Sequence, residues 1–495
     1  MTENIKAFSQ LSSLISLDLM GLLLLGCVVG LFFGIMPGLG GKLGIVFLIP
    51  FVFGMEPISG VVFLLAMHSV VHTSGAIPSI LLGIPGTGPD AATIVDGFPM
   101  TQRGEAGRAL GATLMASAVG GVIGAVFLSV LLPLASSIVL AFSPAEFFFL
   151  ALLGTTFMAT LSGDNLTKGL LVGLLGFALS FVGPDPLGAE PRFTFGLPYL
   201  WDGIDLVALT VAVFAIPEMI AMAAGKQDAI GVAPTVSRYG FREVWQGGVD
   251  VFRHWWLALR TSIIGALIGL VPGLGGDVAS WVCYGHAVQS SKHPERFGKG
   301  EVEGVIAPET ANNSKEGGAL LPTIYFGIPG SSGMAILMGA FVILGIHPGP
   351  DMLTHGESLV WVMIWTLALT NILAAAILFA GTPYLATLAT LNPRLMLPFV
   401  SVFSMIGIYL NAGNWRNFLV MALFSVLGYS FRKWHWPRPP LMIGLVMGPL
   451  VETSFHKAVA LWGFSFIFRP LSLVMLGLAL LSFLFYLRRR PKMAS

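Results

Sequence analysis

The sequence predicts an all-α polytopic membrane protein, with about ten to twelve transmembrane helices at roughly 20 apolar residues each, built from two similar halves. Three observations carry that expectation. Asp, Glu, Lys and Arg make up 10% of the 495 residues and hydrophobic residues 55%, whereas about a quarter of a soluble domain is charged. Stretches apolar enough to cross a bilayer recur at 17–36, 108–134, 204–224, 358–380 and 471–487. A glycine- and proline-rich pattern also occurs twice, once in each half.

In chain order, residues 1–16 come first. Ile5, Phe8, Leu11 and Leu14 or Ile15 recur at helical spacing among Ser, Gln, Glu and Lys, which suits a helix lying in the membrane interface or an ordinary soluble cap. The first apolar run ends in G-I-M-P-G-L-G-G and is preceded by a single basic residue, Lys6, so no cleaved signal peptide is expected. The first half covers 17–224, a polar linker 225–253, the second half 254–487 and a basic tail 488–495. Lys226, Arg238, Arg242 and Arg253 lie in the linker, Arg432, Lys433 and Arg438 in a short polar break, and Arg488, Arg489, Arg490 and Lys492 in the tail. The positive-inside rule places all three, with the C-terminus, in the cytoplasm.

Formal net charge is +1, and no Lys/Arg-rich run alternates with aromatics. The partner expected from composition is therefore the lipid bilayer and not nucleic acid. Cys27 and Cys283 both fall in apolar segments; they read as small buried hydrophobes, and no disulfide framework is available.

The repeat is specific. Residues 30–41 read G-L-F-F-G-I-M-P-G-L-G-G and residues 265–276 read G-A-L-I-G-L-V-P-G-L-G-G, a displacement of 235 positions. Further on, P-S-I-L-L-G-I-P-G at 78–86 matches P-T-I-Y-F-G-I-P-G at 322–330, displaced by 244. The nine extra residues fit a polar loop insertion at 291–301. Helix breakers at membrane depth leave N–H and C=O groups unpaired, at several kcal/mol each, unless protein or a water-filled cavity covers them. Matched breaks in two halves therefore predict discontinuous helices or re-entrant hairpins that line a binding site. An inverted pseudo-two-fold relation between the halves is the arrangement expected. Gly30 with Gly34 and Gly265 with Gly269 also have the four-residue spacing of close helix packing, and both roles can hold together.

A half-helix N-terminus suits a carboxylate, and unwound carbonyls suit a small cation. The substrate- and ion-binding candidates are Pro37, Gly38, Gly40, Gly41, Ser74, Pro85, Gly86 and Thr87 in the first half. In the second they are Pro272, Gly273, Gly275, Gly276, Asn312, Asn313, Pro329, Gly330 and Ser331. Thr87, Asp90, Thr93, Asp96, Ser331 and Ser332 offer hard oxygen ligands next to unwound backbone, or they cap the helices that restart there. The segment A-P-E-T-A-N-N-S-K-E-G-G at 307–318 gathers Glu309, Asn312, Asn313, Ser314 and Lys315 ahead of a half-helix expected to begin near Gly317. It reads as a ligand-bearing stretch at membrane depth or as a solvated loop. Val71, His72, Thr73 and Ser74 hold roughly the corresponding place in the first half. Lys42 follows the first Pro-Gly-Leu-Gly-Gly where Asp277 follows the second, which suits two unlike ends of one pathway or two solvated helix starts.

His68 and His72 share a helix face, but no Glu or Cys accompanies them in an H-E-x-x-H pattern, so no metal site is read there. Neither a phosphate-binding G-x-x-x-x-G-K-[ST] nor a G-x-S-x-G occurs, and no Ser or Cys is spaced with a His and a carboxylate for nucleophilic catalysis. No cofactor and no enzymatic activity are expected. An ion-coupled carrier of small organic anions is the leading reading. An anion channel or pore, which would need a continuous polar stripe, and a membrane-embedded enzyme are the alternatives.

At these motifs the chain resembles the large membrane subunit of the tripartite tricarboxylate transporter family. The matching residues are both copies of the glycine-proline motif, G-I-P-G-T with A-T-I-V-D-G-F-P-M at 83–100, and A-P-E-T-A-N-N at 307–313. The resemblance implies a bacterial inner-membrane secondary transporter driven by an ion gradient, often sodium. It implies two partners, a small four-helix membrane subunit and a periplasmic solute-binding protein that delivers a carboxylate. Carried over by position, Pro37–Gly41, Pro85–Thr87, Pro272–Gly276 and Pro329–Ser331 are the substrate and ion loops, with Asn312 and Asn313 beside them. A mobile transport domain moving against a scaffold, as in elevator-type alternating access, is the expected mechanism.

Overall fold

The computed structural model describes residues 16–35, 40–83, 85–141, 143–156, 166–185, 190–201, 203–204, 208–209, 211–223, 240–272, 274–349, 356–389 and 415–488, together with residues 10, 11, 14, 352, 402 and 405. Pro37, Gly38, Gly273, most of 1–16, the 225–239 part of the linker and the tail beyond 488 lie outside the described residues.

The described chain is helical almost throughout. Five helices form the core of the first half: α1 (Leu17–Ile35), α2 (Gly40–Val52), α3 (Pro57–Leu82), α4 (Ala91–Gln102) and α5 (Ala106–Ala141). Next come α6 (Pro144–Thr156), α7 (Leu166–Leu179), a two-residue antiparallel strand pair (Gly183–Pro184 with Pro191–Arg192), and a π-turn (Val211–Ala215) leading into α8 (Ile216–Ala223). Part of the linker is itself a helix, α9 (Phe241–Arg253). The second half contains α10 (Trp255–Gly269), α11 (Gly275–Ser290), α12 (Glu303–Phe326), α13 (Ser332–Ile343) and α14 (Glu357–Ala389). The chain ends with α15 (Asn417–Lys433), α16 (Pro439–Trp462) and α17 (Pro470–Arg488).

Among the described residues, four helices are long and apolar enough to cross a membrane: Leu17–Ile35, Pro57–Leu82, Ala106–Ala135 and Glu357–Gly381. A fifth follows if Pro440–Phe468 and Pro470–Leu481, bent by 71°, count as one span. The helices flanking the glycine-proline breaks, Gly41–Val52, Trp255–Gly269 and Ser332–Ile343, are apolar but shorter, as expected of chain that turns back before crossing.

Glycine brings the helices close. A Cβ on Gly26 or Gly30 of α1 would lie 2.6 Å from the Phe63 or Met67 carbonyl of α3, and one on Gly265 of α10 would lie 2.7 Å from the Ala311 carbonyl of α12. The four-residue glycine spacing thus packs helices. The expected helix start near Gly317 is not found: α12 runs unbroken from 303 to 326. Gly317 and Gly318 instead admit the backbones of Gly124 on α5 and Ala266 on α10, so the glycine pair serves close packing inside a helix.

The central helices α3 and α12 are shielded from lipid. Every residue of α3 from Gly60 to Leu81 and every residue of α12 from Gly304 to Tyr325 is buried. Partners are exchanged between halves: α5 packs on α12 and α14 on α3, while α2 meets α13 and α4 meets α11. Helices α3 and α12 run antiparallel. His68 faces Glu316, Thr73 faces Asn313, and Ile80 and Val305 converge on Gly97. The main hydrophobic cluster, with Phe33, Ile49, Leu64, Leu320, Leu337 and Phe341, lies around these helices and draws on both halves.

Candidate functional site

Each G-I-P-G motif begins at the end of a central helix. Gly83 and Gly327 are the C-cap residues of α3 and α12, with φ 66° and ψ 25° in one and φ 64° and ψ 23° in the other. This left-handed conformation favours glycine. Pro78 and Pro322 lie one turn earlier, and Ser79 and Thr323 next to them donate to Gly75 O and Ala319 O. The two tips are therefore built alike.

Within each half the two breaks close on each other. The Gly86 amide donates to Gly75 O at 3.2 Å, and a Cβ there would lie 2.8 Å from Gly34 O. In the second half a Cβ on Gly330 would lie 2.6 Å from Ala319 Cβ and 3.0 Å from Gly269 O. The breaks also meet across the halves. A Cβ on Gly276 would lie 2.6 Å from Pro89 Cγ, 2.8 Å from Lys315 Cε and 3.0 Å from Asn312 Oδ1, and one on Gly88 3.0 Å from Asp277 Cγ. Gly275, at φ +67°, faces Ser331. Pro85, Gly88, Lys42 and Asp277 are exposed, whereas Gly86, Pro89, Asp90, Gly276 and 327–331 are buried.

A polar ladder lines the floor. The Thr87 amide and hydroxyl both donate to Asp90 Oδ2 at 2.7 Å, and Asn312 Nδ2 donates to Asp90 Oδ1 at 3.3 Å. One turn along, Thr93 donates to Glu309 Oε1 at 2.5 Å and Ser117 to Oε2 at 3.2 Å. Asn313 Nδ2 donates to Thr73 Oγ1 at 2.9 Å and to Asn371 Oδ1 at 2.7 Å, and Asn371 in turn donates to Ser69. Asn312 Oδ1 and Asn313 Oδ1 are buried acceptors without a hydrogen-bond partner among the described residues. Lys42 is within electrostatic reach of Asp277 and Lys315. Lys42 thus lies near Asp277, and the Lys315 side chain, whose ammonium contacts Glu316, runs past Gly276; beside them the oxygens of Asn312, Asp90 and Thr87 are of the hard type that suits a small cation.

Of the residues singled out from sequence, Pro85, Gly86, Thr87, Gly275, Gly276, Asn312 and Ser331 gather here. Pro272, partly buried, ends the turn after α10, and Gly40 and Gly41 open α2, Gly41 facing Val71. Pro329 and Gly330 lie in the buried second-half tip. Asn313 is one position deeper, bridging α3 and α14. Ser74 donates to Gly30 O at 3.2 Å and Val70 O at 3.0 Å, tying α1 to α3. Ser331 Oγ accepts from the Met334 amide at 3.2 Å and caps α13. Cys27 and Cys283 are buried free thiols.

Sequence reasoning missed Glu316, Asn371 and Ser117. Glu316 stands beside His68 and His72, its partners 248 and 244 positions away, so no local spacing could reveal them. Asn371 sits in an otherwise apolar span, and that isolated polarity was the available signal. A separate groove of about 510 Å³ between α5, α9 and α14, with Met115, Val122, Trp245, Ile372 and Phe379 in its wall, is apolar and does not suit a carboxylate.

The sequence matches a known family over most of its length. Residues 20–443 match the family model described as tripartite tricarboxylate transporter TctA family. An uncharacterized 52.8 kDa protein in the TAR-I ttuC' 3'region of Agrobacterium vitis is 30% identical over 435 residues, covering 88% of this chain and 86% of that protein. A protein in the TAR-II ttuC' 3'region of the same organism is 32% identical over 219 residues, 44% of this chain and 90% of that protein. No solved structure matches the chain.

Proposed function

Because the chain belongs to the tripartite tricarboxylate transporter TctA family, and so to the membrane part of a tripartite transporter, we propose that it carries a tri- or dicarboxylate inward by ion-driven symport. The observation that supports this most is the meeting of the first-half tip at Gly88–Asp90 with the first turn of α11 at Gly276–Asp277, where Lys315 lies against Gly276 and Lys42 is within electrostatic reach of Asp277. Such a chamber neutralises an organic anion with ammonium groups and backbone amides. It also keeps a carboxylate, an orphaned amide oxygen and a hydroxyl for sodium. A sodium ion between Asp90 and Asn312 Oδ1 would lie next to the carboxylate that accepts from the Thr87 amide at 2.7 Å on one side and one helix turn from Lys315 on the other. Anion and cation would then stabilise one another in a medium where either alone is costly.

The antiparallel course of α3 and α12 and the exchange of packing partners support an inverted repeat. In this reading the two tips and central helices move as one transport domain against a scaffold in elevator fashion. The scaffold docks a small four-helix membrane subunit, a periplasmic solute-binding protein delivers the carboxylate, and the chain sits in the bacterial inner membrane with its C-terminus in the cytoplasm. Uptake of labelled citrate, short dicarboxylates and aromatic carboxylates into proteoliposomes, with and without a sodium gradient, small subunit and binding protein, tests it. Sodium-dependent uptake is expected. Asn312→Ala should abolish it with membrane insertion intact, and Ser331→Ala should weaken it. If no carboxylate moves under any combination, the reading fails.

A further inference from the structure

We propose that His68, His72 and Glu316 form a binding site for a transition-metal dication of the Zn²⁺ or Co²⁺ type. His68 and His72 lie one turn apart on α3 and present their rings to the same side, at a centroid separation of 5.0 Å. Glu316 comes from α12, in the other half. His68 Nε2 is 3.2 Å from Glu316 Oε2 and His72 Nε2 is 2.8 Å from Oε1, and one ligand atom from each residue lies within 4.8 Å of the others. A tetrahedral ion with bonds of about 2.0–2.2 Å holds its ligand atoms roughly 3.3 Å apart, so small shifts suffice to close the site. Two neutral imidazoles and one carboxylate are a donor set that zinc and cobalt favour.

The alternative is a plain buried ion-pair network, since Lys315 Nζ contacts Glu316 Oε1. Two observations favour the metal. His72 Nε2 is buried 2.8 Å from Glu316 Oε1, yet the pair does not meet the geometry of a hydrogen bond, which leaves the nitrogen lone pair available to an ion. The His68 ring is also packed closely against Gly333, where an added Cβ would lie 2.7 Å from its Cε1. That contact restricts how the ring can turn, which favours a preset ligand geometry. Lys315 then acts as an internal cation on the same carboxylate, which a dication must displace. The ammonium so released stays beside Gly276, toward the anion chamber. That last consequence rests on the transport reading; the metal site does not.

The test is a titration of the purified, tag-free chain in nanodiscs, without carboxylate, by Co²⁺ visible absorbance and by Zn²⁺ competition calorimetry. One equivalent per chain is expected, with the intensified absorbance of four-coordinate cobalt. His68→Gln and His72→Gln should each weaken binding at least tenfold, and Lys315→Met should tighten it at least tenfold, a gain that misfolding does not produce. Thermal melting of each variant checks the fold. Absence of stoichiometric binding to the wild-type chain overturns the proposal. So does binding that survives both histidine substitutions unchanged, which would mark an adventitious ion only.

Discussion

Thr93 of the first half donates its hydroxyl to Glu309 of the second at 2.5 Å, and both are fully buried. With Ser117 on the other carboxylate oxygen at 3.2 Å, the acid of α12 is satisfied, among the described residues, by side chains of α4 and α5, so this contact helps join the halves. Removing one donor leaves a buried acceptor short, at about 1–3 kcal/mol. Thr93→Val and Ser117→Ala are each expected to lower the unfolding free energy in detergent by that much, with a matching drop in the denaturation midpoint. Their effects should not add, because they share one carboxyl group. Unaltered midpoints would show that the hydroxyls contribute nothing.

Glycine substitutions should separate packing from propensity. A Cβ on Gly317 meets the backbone of Gly124, 2.9 Å from its Cα, and backbone cannot give way as a side-chain tip can. Gly317→Ala is expected to cost about 1–3 kcal/mol by overpacking the crossing of α5 and α12. Gly285, in the middle of α11, has nothing within 4 Å of the same position. There alanine should stabilise by up to about 1 kcal/mol through helix propensity. Parallel thermal melts compare the pair; equal effects would refute the packing argument.

The glycine and proline residues made the site legible in sequence, and side-chain partners across the chain did not. Pro85 to Thr87 and Gly275 to Gly276 announced broken helices, because few other roles account for matched G-I-P-G and P-G-L-G-G motifs in apolar surroundings. The 307–318 segment is buried and not a solvated loop, but it does not lead up to a break. Its polarity is tolerated inside a continuous helix because α3, α5, α10 and α11 enclose it. Periodicity reports which face of a helix is apolar, and α12 has no such face. Likewise the pairing of His68 with Glu316 depends on how two helices cross, which composition does not encode.

His254 provides a pH-dependent contact at the edge of the membrane. It sits between α9 and α10, with Nδ1 3.0 Å from Glu303 Oε1. Its pKa is raised above the ordinary histidine value by the Glu303 hydrogen bond, against an opposing contribution from partial burial. A raised histidine pKa contributes stability that is complete below about 6.5 and is lost as pH rises through the higher folded-state value. The pair is partly exposed, so the effect is on the order of 1 kcal/mol or less. The melting midpoint should therefore fall between pH 6 and pH 8.5 in the wild-type chain. His254→Gln should flatten that part of the profile, and an identical fall in this variant would remove His254 as its cause.

Orientation is best tested at the helix ends. Lys42 and Asp277 flank the place where the two tips meet, so cysteines at both should be labelled from one side in a given conformation, whether or not the halves are inverted. The loops discriminate. Gly60, at the start of α3, packs against Leu344, just after α13, which puts the 53–56 and 344–349 turns at one end. Arg103 after α4 reaches the Gly300 carbonyl, and Asp96 Oδ1 accepts from the Gly300 and Glu301 amides at 2.8 Å, so the 102–105 and 291–302 loops share the other. Arg103, Lys292, Arg296 and Lys299 gather at that end, which the positive-inside rule assigns to the cytoplasm. Single cysteines at Glu56 and His347 are expected to react with an impermeant maleimide from the periplasmic side of intact cells. Cysteines at Glu105 and Lys299 should react only in inverted vesicles. If Glu56→Cys and Lys299→Cys were labelled from the same side, the antiparallel arrangement of α3 and α12 across the membrane would be wrong.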